Sequence, residues 1–152
     1  VARIILLDAG PLGLLTRARG IPVADQCRAW LAALEAAGAG VVAPEIADYE
    51  VRRELLRLGA SAGLRRLDAL KARLVYLPIT TSAMLAAAEF WALMRQTGLP
   101  TAGPGELDAD AILAGQADTA GGPGDTVTIA TTNVRHLGRF PGIDAQPWAT
   151  IT

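Results

Sequence analysis

Short apolar runs alternate along this chain with longer stretches of helical periodicity. Arg3–Leu7 (RIILL) is leucine- and isoleucine-rich, the pattern of a strand buried on both faces. Pro22–Ala37 carries Trp30, Leu31 and Leu34 on one side, with Asp25 as a cap and Gly38 as a stop, and is expected to be helical. Val41–Ala43 forms a second strand, and Pro44 suits the first turn of a helix running to about Leu58. Ser61 is placed to cap a helix reaching about Ala72, and Leu74–Leu77 is a third strand, stopped by Pro78. Thr80 or Thr81 caps a long helix to about Thr97 that is apolar over most of its circumference; such helices are normally buried in a core or a dimer contact. Beyond it, Thr101–Gly105 reads as a loop, Asp108–Asp118 as a helix, Ala120–Gly124 as a second loop and Thr126–Ala130 as a fourth strand. A short tail containing Trp148 follows.

Strands alternating with helices argue for a parallel sheet covered on both faces. The expected fold class is therefore α/β, a three-layer α/β/α sandwich with a central, mainly parallel sheet of four to five strands in one domain over residues 1–152. No repeat or low-complexity tract interrupts it. An apolar fraction of 51% against 19% charged residues describes a globular chain. Its apolar runs stop well short of the ~20 residues a membrane span needs. Arg3 precedes only Ile4, Ile5, Leu6 and Leu7 before Asp8 intervenes, which is no signal peptide, and a cytoplasmic location is expected. Cys27 and His136 are the only residues of their kinds, excluding an intrachain disulfide, a thiolate zinc site and every multi-histidine metal motif.

The net charge of −1 conceals an uneven distribution, for Arg52, Arg53, Arg57, Arg65, Arg66, Lys71 and Arg73 make up half of the 14 basic residues. That segment is either a phosphate-binding face or a solvated helical surface. In open parallel sheets ligands bind at the carboxyl ends of the strands. Asp8 directly follows the first strand, and Thr131, Thr132 and Asn133 follow the fourth. Asp8 serves equally as an N-cap for the next turn, and the threonines as turn residues or phosphate donors. Counting ~100° per residue from Ile46 puts Glu50 at ~40° and Glu54 at ~80°, on the flank of an apolar arc made by Ile46, Ala47, Val51, Leu55 and Leu58. A carboxylate there needs a cation or donors; pairing with Arg53 or Arg57 is the bland solution. Asp110 projects beside Leu113, Ala114 and Ala117, and Asp108 lies nearer the helix start, where it fits an N-cap or a further ligand. Three or four carboxylates without histidine or cysteine form a hard oxygen set suited to Mg²⁺ or Mn²⁺, the ions of phosphodiester hydrolysis.

Four pieces of the chain, IILLDAGPLGLL (Ile4–Leu15), PEIADYEVRREL (Pro44–Leu55), LDADAILAGQA (Leu107–Ala117) and ATTNVRHLGRFPGI (Ala130–Ile143), together with Trp148, resemble the PIN-domain ribonucleases, specifically the VapC-like toxins of toxin–antitoxin pairs. The resemblance implies that Asp8, Glu50 and Asp110 are catalytic and hold Mg²⁺ or Mn²⁺. From the residues themselves, Asp108 is a candidate added ligand, Asn133 can orient a ligand water by hydrogen bonding, and Thr131, Thr132, Arg52 and Arg53 are candidate supporting or substrate-binding residues. The resemblance further implies an RNA substrate, a homodimer and a cognate antitoxin. This chain departs from the family pattern in three places. Asn133 stands where a fourth acid often occurs, Ala9 and Gly10 replace a common Thr-Asn, and Glu54 replaces a common glycine. His136, where relatives often have another aspartate, fits a surface or packing residue better than a general acid. The expected function is a metal-dependent endoribonuclease; the alternative is a PIN-like module that binds RNA or protein with little or no cleavage. A phosphotransferase using Asp8 is disfavoured, since no second aspartate follows two residues on and no glycine-rich phosphate loop exists.

Overall fold

The computed structural model describes residues 1–98 and 104–152. Five strands, β1 (Arg3–Leu7), β2 (Gly40–Pro44), β3 (Val75–Leu77), β4 (Thr126–Thr131) and β5 (Asp144–Pro147), form one sheet in the order β3-β2-β1-β4-β5. Every pairing is parallel. The helices are α1 (Ala9–Leu15), α2 (Pro22–Ala36), α3 (Glu45–Arg57), α4 (Ser61–Arg73), α5 (Thr81–Gln96), α6 (Pro104–Ala120) and the short α7 (Val134–Leu137).

Successive strand side chains point to opposite faces, and the two cores divide accordingly. Ile5, Leu7, Val41 and Ala130 face Leu12, Cys27, Leu31, Leu34, Val51 and Leu67 of α1 to α4. Leu6, Val42 and Ile129 face Ala87, Met94, Leu113 and Leu137 of α5, α6 and α7, along with Phe140. A strand buried this way has no wet side, which is why RIILL carries no polar alternation. The expected three-layer sandwich is thus the observed one. Among the described residues no helix is long and apolar enough to cross a membrane. The chain's end closes the first core: Trp30 meets Trp148 edge to face at 5.4 Å, and its indole N–H donates to the Ile151 carbonyl at 2.9 Å.

Several local expectations are corrected. Ala9–Leu15 is a helix rather than a bare turn, because Asp8 caps it and Pro11 stands in the first turn, where a missing N–H costs nothing. The tail contains a fifth strand, Asp144–Pro147, held by β4 despite its weak strand propensity. Asp25 lies inside the first turn of α2, where it accepts from the Gly20 N–H and from Arg28, while Ile21 occupies the cap position. Ser61 is likewise the first residue of α4, with Ala60 before it. Thr80 does cap α5, accepting from the Ala83 N–H at 3.0 Å. The loop expected at Thr101–Gly105 falls partly outside the described residues, but its last two, Pro104 and Gly105, already belong to α6.

Helix α6 crosses α5 closely. A Cβ on Gly115 would lie 2.2 Å from the Ala83 carbonyl oxygen and 3.0 Å from the Ala87 nitrogen, so only glycine fits. The amide of buried Gln116 fixes α6 against its other neighbours, accepting from the Ile46 N–H at 3.2 Å and donating to the Leu77 carbonyl at 2.8 Å.

The chain winds outward from β1 to β2 and β3, then returns to lay β4 on the other side of β1. The winding reverses between β1 and β4, and the connections leaving their carboxyl ends part there. Such a switch point is where open α/β sheets bind ligands.

Candidate active site

Asp8 and Thr131 stand side by side at this switch point, one just past β1 and the other at the end of β4. Thr131 Oγ1, fully buried, donates to Asp8 Oδ2 at 2.6 Å and accepts from the Asn133 N–H at 2.8 Å. Asp8 Oδ1 accepts from the Ala9 N–H at 2.7 Å, capping α1, and the Asp8 N–H extends the sheet ladder to the Ala130 carbonyl at 3.0 Å. The cap and site roles considered for Asp8 therefore coexist in one side chain. One hydrogen bond on each carboxylate oxygen leaves a lone pair on each for another partner. Gly10 lets the first turn of α1 approach this loop, since a Cβ there would lie 2.6 Å from Thr132 Oγ1. Thr131 uses its only hydroxyl proton on Asp8, so it orients that carboxylate, while Thr132 is exposed beside it.

The other two expected carboxylates arrive from helices on opposite layers. Glu50 lies on α3 beside buried Ala47 and Val51, with 24% of its side chain exposed. Leu58, placed on the same apolar arc by helical spacing, is 61% exposed. Asp110 is also 24% exposed and stands on α6 above buried Leu113, Ala114 and Ala117. Asp8, Glu50 and Asp110 line a single cleft of about 340 Å³, together with Ala9, Glu106, Asn133 and His136.

The electrostatics record the crowding. Burial, and then the Asp8 charge, raise the Glu50 carboxyl above its ordinary range, against the lowering effect of Arg53. Burial raises Asp8 as well, outweighing the hydrogen bonds from Thr131 and Ala9. Asp110 is pushed up to about 7, first by burial and then by Asp8, Glu50 and Glu106. Clustered acids shifted upward in a cleft mark a place where negative charge is held at a cost.

Other expected residues are sorted differently. Asp108 is exposed, well inside α6 rather than at its cap, and borders an apolar hollow with Met84, Ala88, Trp91 and Ile112 instead of the cleft. The expectation of Asp108 as a cap is corrected, because the helix begins four residues earlier than its apolar periodicity suggests. Glu54 turns away to pair with Arg57, whose Nε donates at 3.0 Å. Arg52 is held between Asp48 at 2.9 Å and Asp68 at 2.8 Å, so two carboxylates already compensate its charge. Arg53 is 57% exposed, rests over the Tyr49 ring and stands 3.9 Å from Glu50 at the rim. His136 belongs to the cleft rather than the outer surface: its Nδ1 is 2.9 Å from Asn133 Nδ2 and 3.8 Å from Asp110 Oδ2.

Glu106 was missed by the sequence reading. The available signal was Pro104, a favoured first helical residue; a helix begun there puts Glu106 one turn before Asp110 on the same face. The carboxylates in the cleft, with Asn133 beside them, form a hard oxygen set that suits a small divalent cation. Among the described residues no three His, Cys, Asp or Glu side chains stand in a ready ligating arrangement, so the fit rests on donor chemistry and a shared cleft.

The fold has clear counterparts. It matches a structure of VapBC2 from Rickettsia felis bound to a DNA fragment from their promoter (TM-score 0.71, 16% identity, 94% of this chain and 97% of that one). DNA-bound VapBC from Salmonella typhimurium gives 0.66 and 21% identity, with 97% and 99% covered. VapBC-1 from nontypeable Haemophilus influenzae gives 0.64 and 18%, with 95% and 98% covered. No protein-family model and no curated protein matches the chain. At these identities the likeness is one of fold, and the fold is the PIN-like one that the four sequence pieces led us to expect.

Proposed function

We propose that this chain is a VapC-like toxin, a metal-dependent endoribonuclease that hydrolyses RNA phosphodiester bonds. The observation that carries this reading is the arrival of Asp8, Glu50 and Asp110, from a strand end and two separate helices, in one cleft at the sheet's switch point. These three would hold Mg²⁺ or Mn²⁺ between them. A bound divalent ion would offset phosphate charge and make an attacking water more acidic. The chain's own part is positional. Thr131 and the Ala9 N–H fix both oxygens of Asp8, and the Gln116 side chain ties α6 to the start of α3. Arg53 at the rim supplies positive charge for an RNA phosphate.

The partners follow from the same likeness and from two surfaces. An apolar groove of about 680 Å³ between α1, α3 and α4, lined by Leu14, Val51 and Leu55, shares Ala9 and Glu50 with the cleft or its rim. An antitoxin segment seated there would obstruct the site. On the opposite layer α5 leaves Met84, Leu85 and Trp91 at 45%, 65% and 41% exposure, an uncovered apolar face that suits a homodimer.

Purified protein should cut RNA in Mg²⁺ or Mn²⁺, lose that activity in EDTA, and lose it in Asp8→Asn and Glu50→Gln. Asparagine still caps a helix, so the first variant keeps its fold. Wild-type cleavage by either variant removes that residue from the mechanism. A second reading, a PIN-like module that binds without cutting, is favoured by the neutral Asn133 and by the lack of a ready ligating triad among the described residues. It predicts RNA retention with no metal-stimulated cleavage at all.

A further inference from the structure

We infer that Glu106 supplies the fourth carboxylate of the cation site, from α6, in place of the acid absent at Asn133. This inference rests on the proposed reading of the cleft. Asn133 lies on the β4 side of the cleft, where its Nδ2 faces His136 Nδ1 at 2.9 Å and its backbone N–H is held by Thr131. Its side chain is neutral and already engaged, so among the cleft-lining residues the segment after β4 brings no anion.

Glu106 brings one from the other wall. It lines the cleft with Asp8, Glu50 and Asp110, four residues before Asp110, so the two α6 acids lie on the same side of the helix one turn apart. Like charges in that relation oppose each other on an isolated helix, and the Glu106 charge is among those felt by Asp110. A competing account is available: an acid in the first turn favours the helix dipole wherever it points. That account leaves unexplained why the side chain borders the cleft. Asp108, two residues on and also exposed, borders the apolar hollow beside Trp91 instead of the cleft. Glu106 is exposed where Asp110 is half-buried, which puts it at the mouth, on the side a phosphate or hydrated cation enters.

The test is direct binding of Mn²⁺ to the purified chain without RNA, by calorimetry or by the loss of the free-ion EPR signal, with thermal melting as a control on folding. Glu106→Gln should weaken Mn²⁺ binding by about tenfold or more, the scale on which displaced partners of metal sites act. Asp108→Asn should leave it unchanged. Adding Asn133→Asp to Glu106→Gln should recover much of the loss, since the missing charge returns to the β4 side. Wild-type affinity in Glu106→Gln, alongside loss in Asp8→Asn, overturns the assignment while leaving the cation site standing. Equal weakening by Glu106→Gln and Asp108→Asn also overturns it, in favour of a general effect of negative charge near the site. A wild-type chain that binds no Mn²⁺ removes the site reading itself, and the role of Glu106 with it.

Discussion

Replacing Asp110 by asparagine removes the most perturbed acid of the cleft and should make the metal-free protein more stable. The groups facing it are Asp8 at the end of β1, Glu50 on α3, Glu106 one turn earlier on α6 and His136 on α7. Burial and the three neighbouring acids raise the Asp110 carboxyl from 3.8 to about 7. The folded chain thus holds this proton more tightly than the unfolded chain does. The contribution to stability is complete below about pH 4, declines as pH climbs toward about 7, and is gone above it. At ~1.36 kcal/mol for each tenfold change in proton affinity, the ceiling at pH 8 is roughly 4 kcal/mol. The side chain is 24% exposed and its neighbours share the charge, which reduces this to about 2 kcal/mol. For a chain of this size that is a rise in Tm of about 4–8 °C. Melting curves of wild type and Asp110→Asn in EDTA should coincide near pH 4, separate between pH 4 and 7, and run parallel above. Saturating Mn²⁺ should close the gap, because only the wild type gains by binding it. A variant no more stable than wild type at pH 8, or a gap indifferent to pH, would refute the account of charge held at a cost.

Other outcomes follow from the packing and the surface. Gly115→Ala forces a methyl against the backbone of α5 and should cost about 2–3 kcal/mol, at the upper end of overpacking, read as a lower urea midpoint at constant slope. Arg53→Glu should weaken RNA binding and shallow its salt dependence by about one phosphate contact. Arg52→Glu should instead lower Tm, because it leaves Asp48, 7% exposed, without its closest cation; an unchanged Tm would show that the Asp48 pairing contributes little. Leu85→Asp should turn the proposed dimer into a monomer by light scattering without changing the melting of the monomer fold. A dimer that survives the substitution moves the contact away from α5.

The strands and most helices were legible because burial on both faces leaves a local imprint: RIILL has no polar alternation, and α3 shows a clear apolar arc. Asp8 could be located from its place after a strand, and Glu50 from a charge on a buried flank. Residues whose state depends on distant partners were less readable. Asp144–Pro147 becomes a strand only because β4 offers an edge to pair with. The ion pair between Arg52 and Asp68, on another helix, has no local signature in the sequence. His136 reads as a surface or packing residue, and nothing local reveals that α7 turns it toward Asp110.

Sequence alone determined the layered α/β class from short-range periodicity, and it pointed to three of the acids in the cleft through their positions taken together with the family resemblance. Tertiary structure decided which acids meet. The start of α6 chose Glu106 over Asp108. The reversal of winding between β1 and β4 opened the crevice that Asp8 shares with residues from α3 and α6. Convergence of that kind is set by the packing of whole elements, and no local window of the chain contains it.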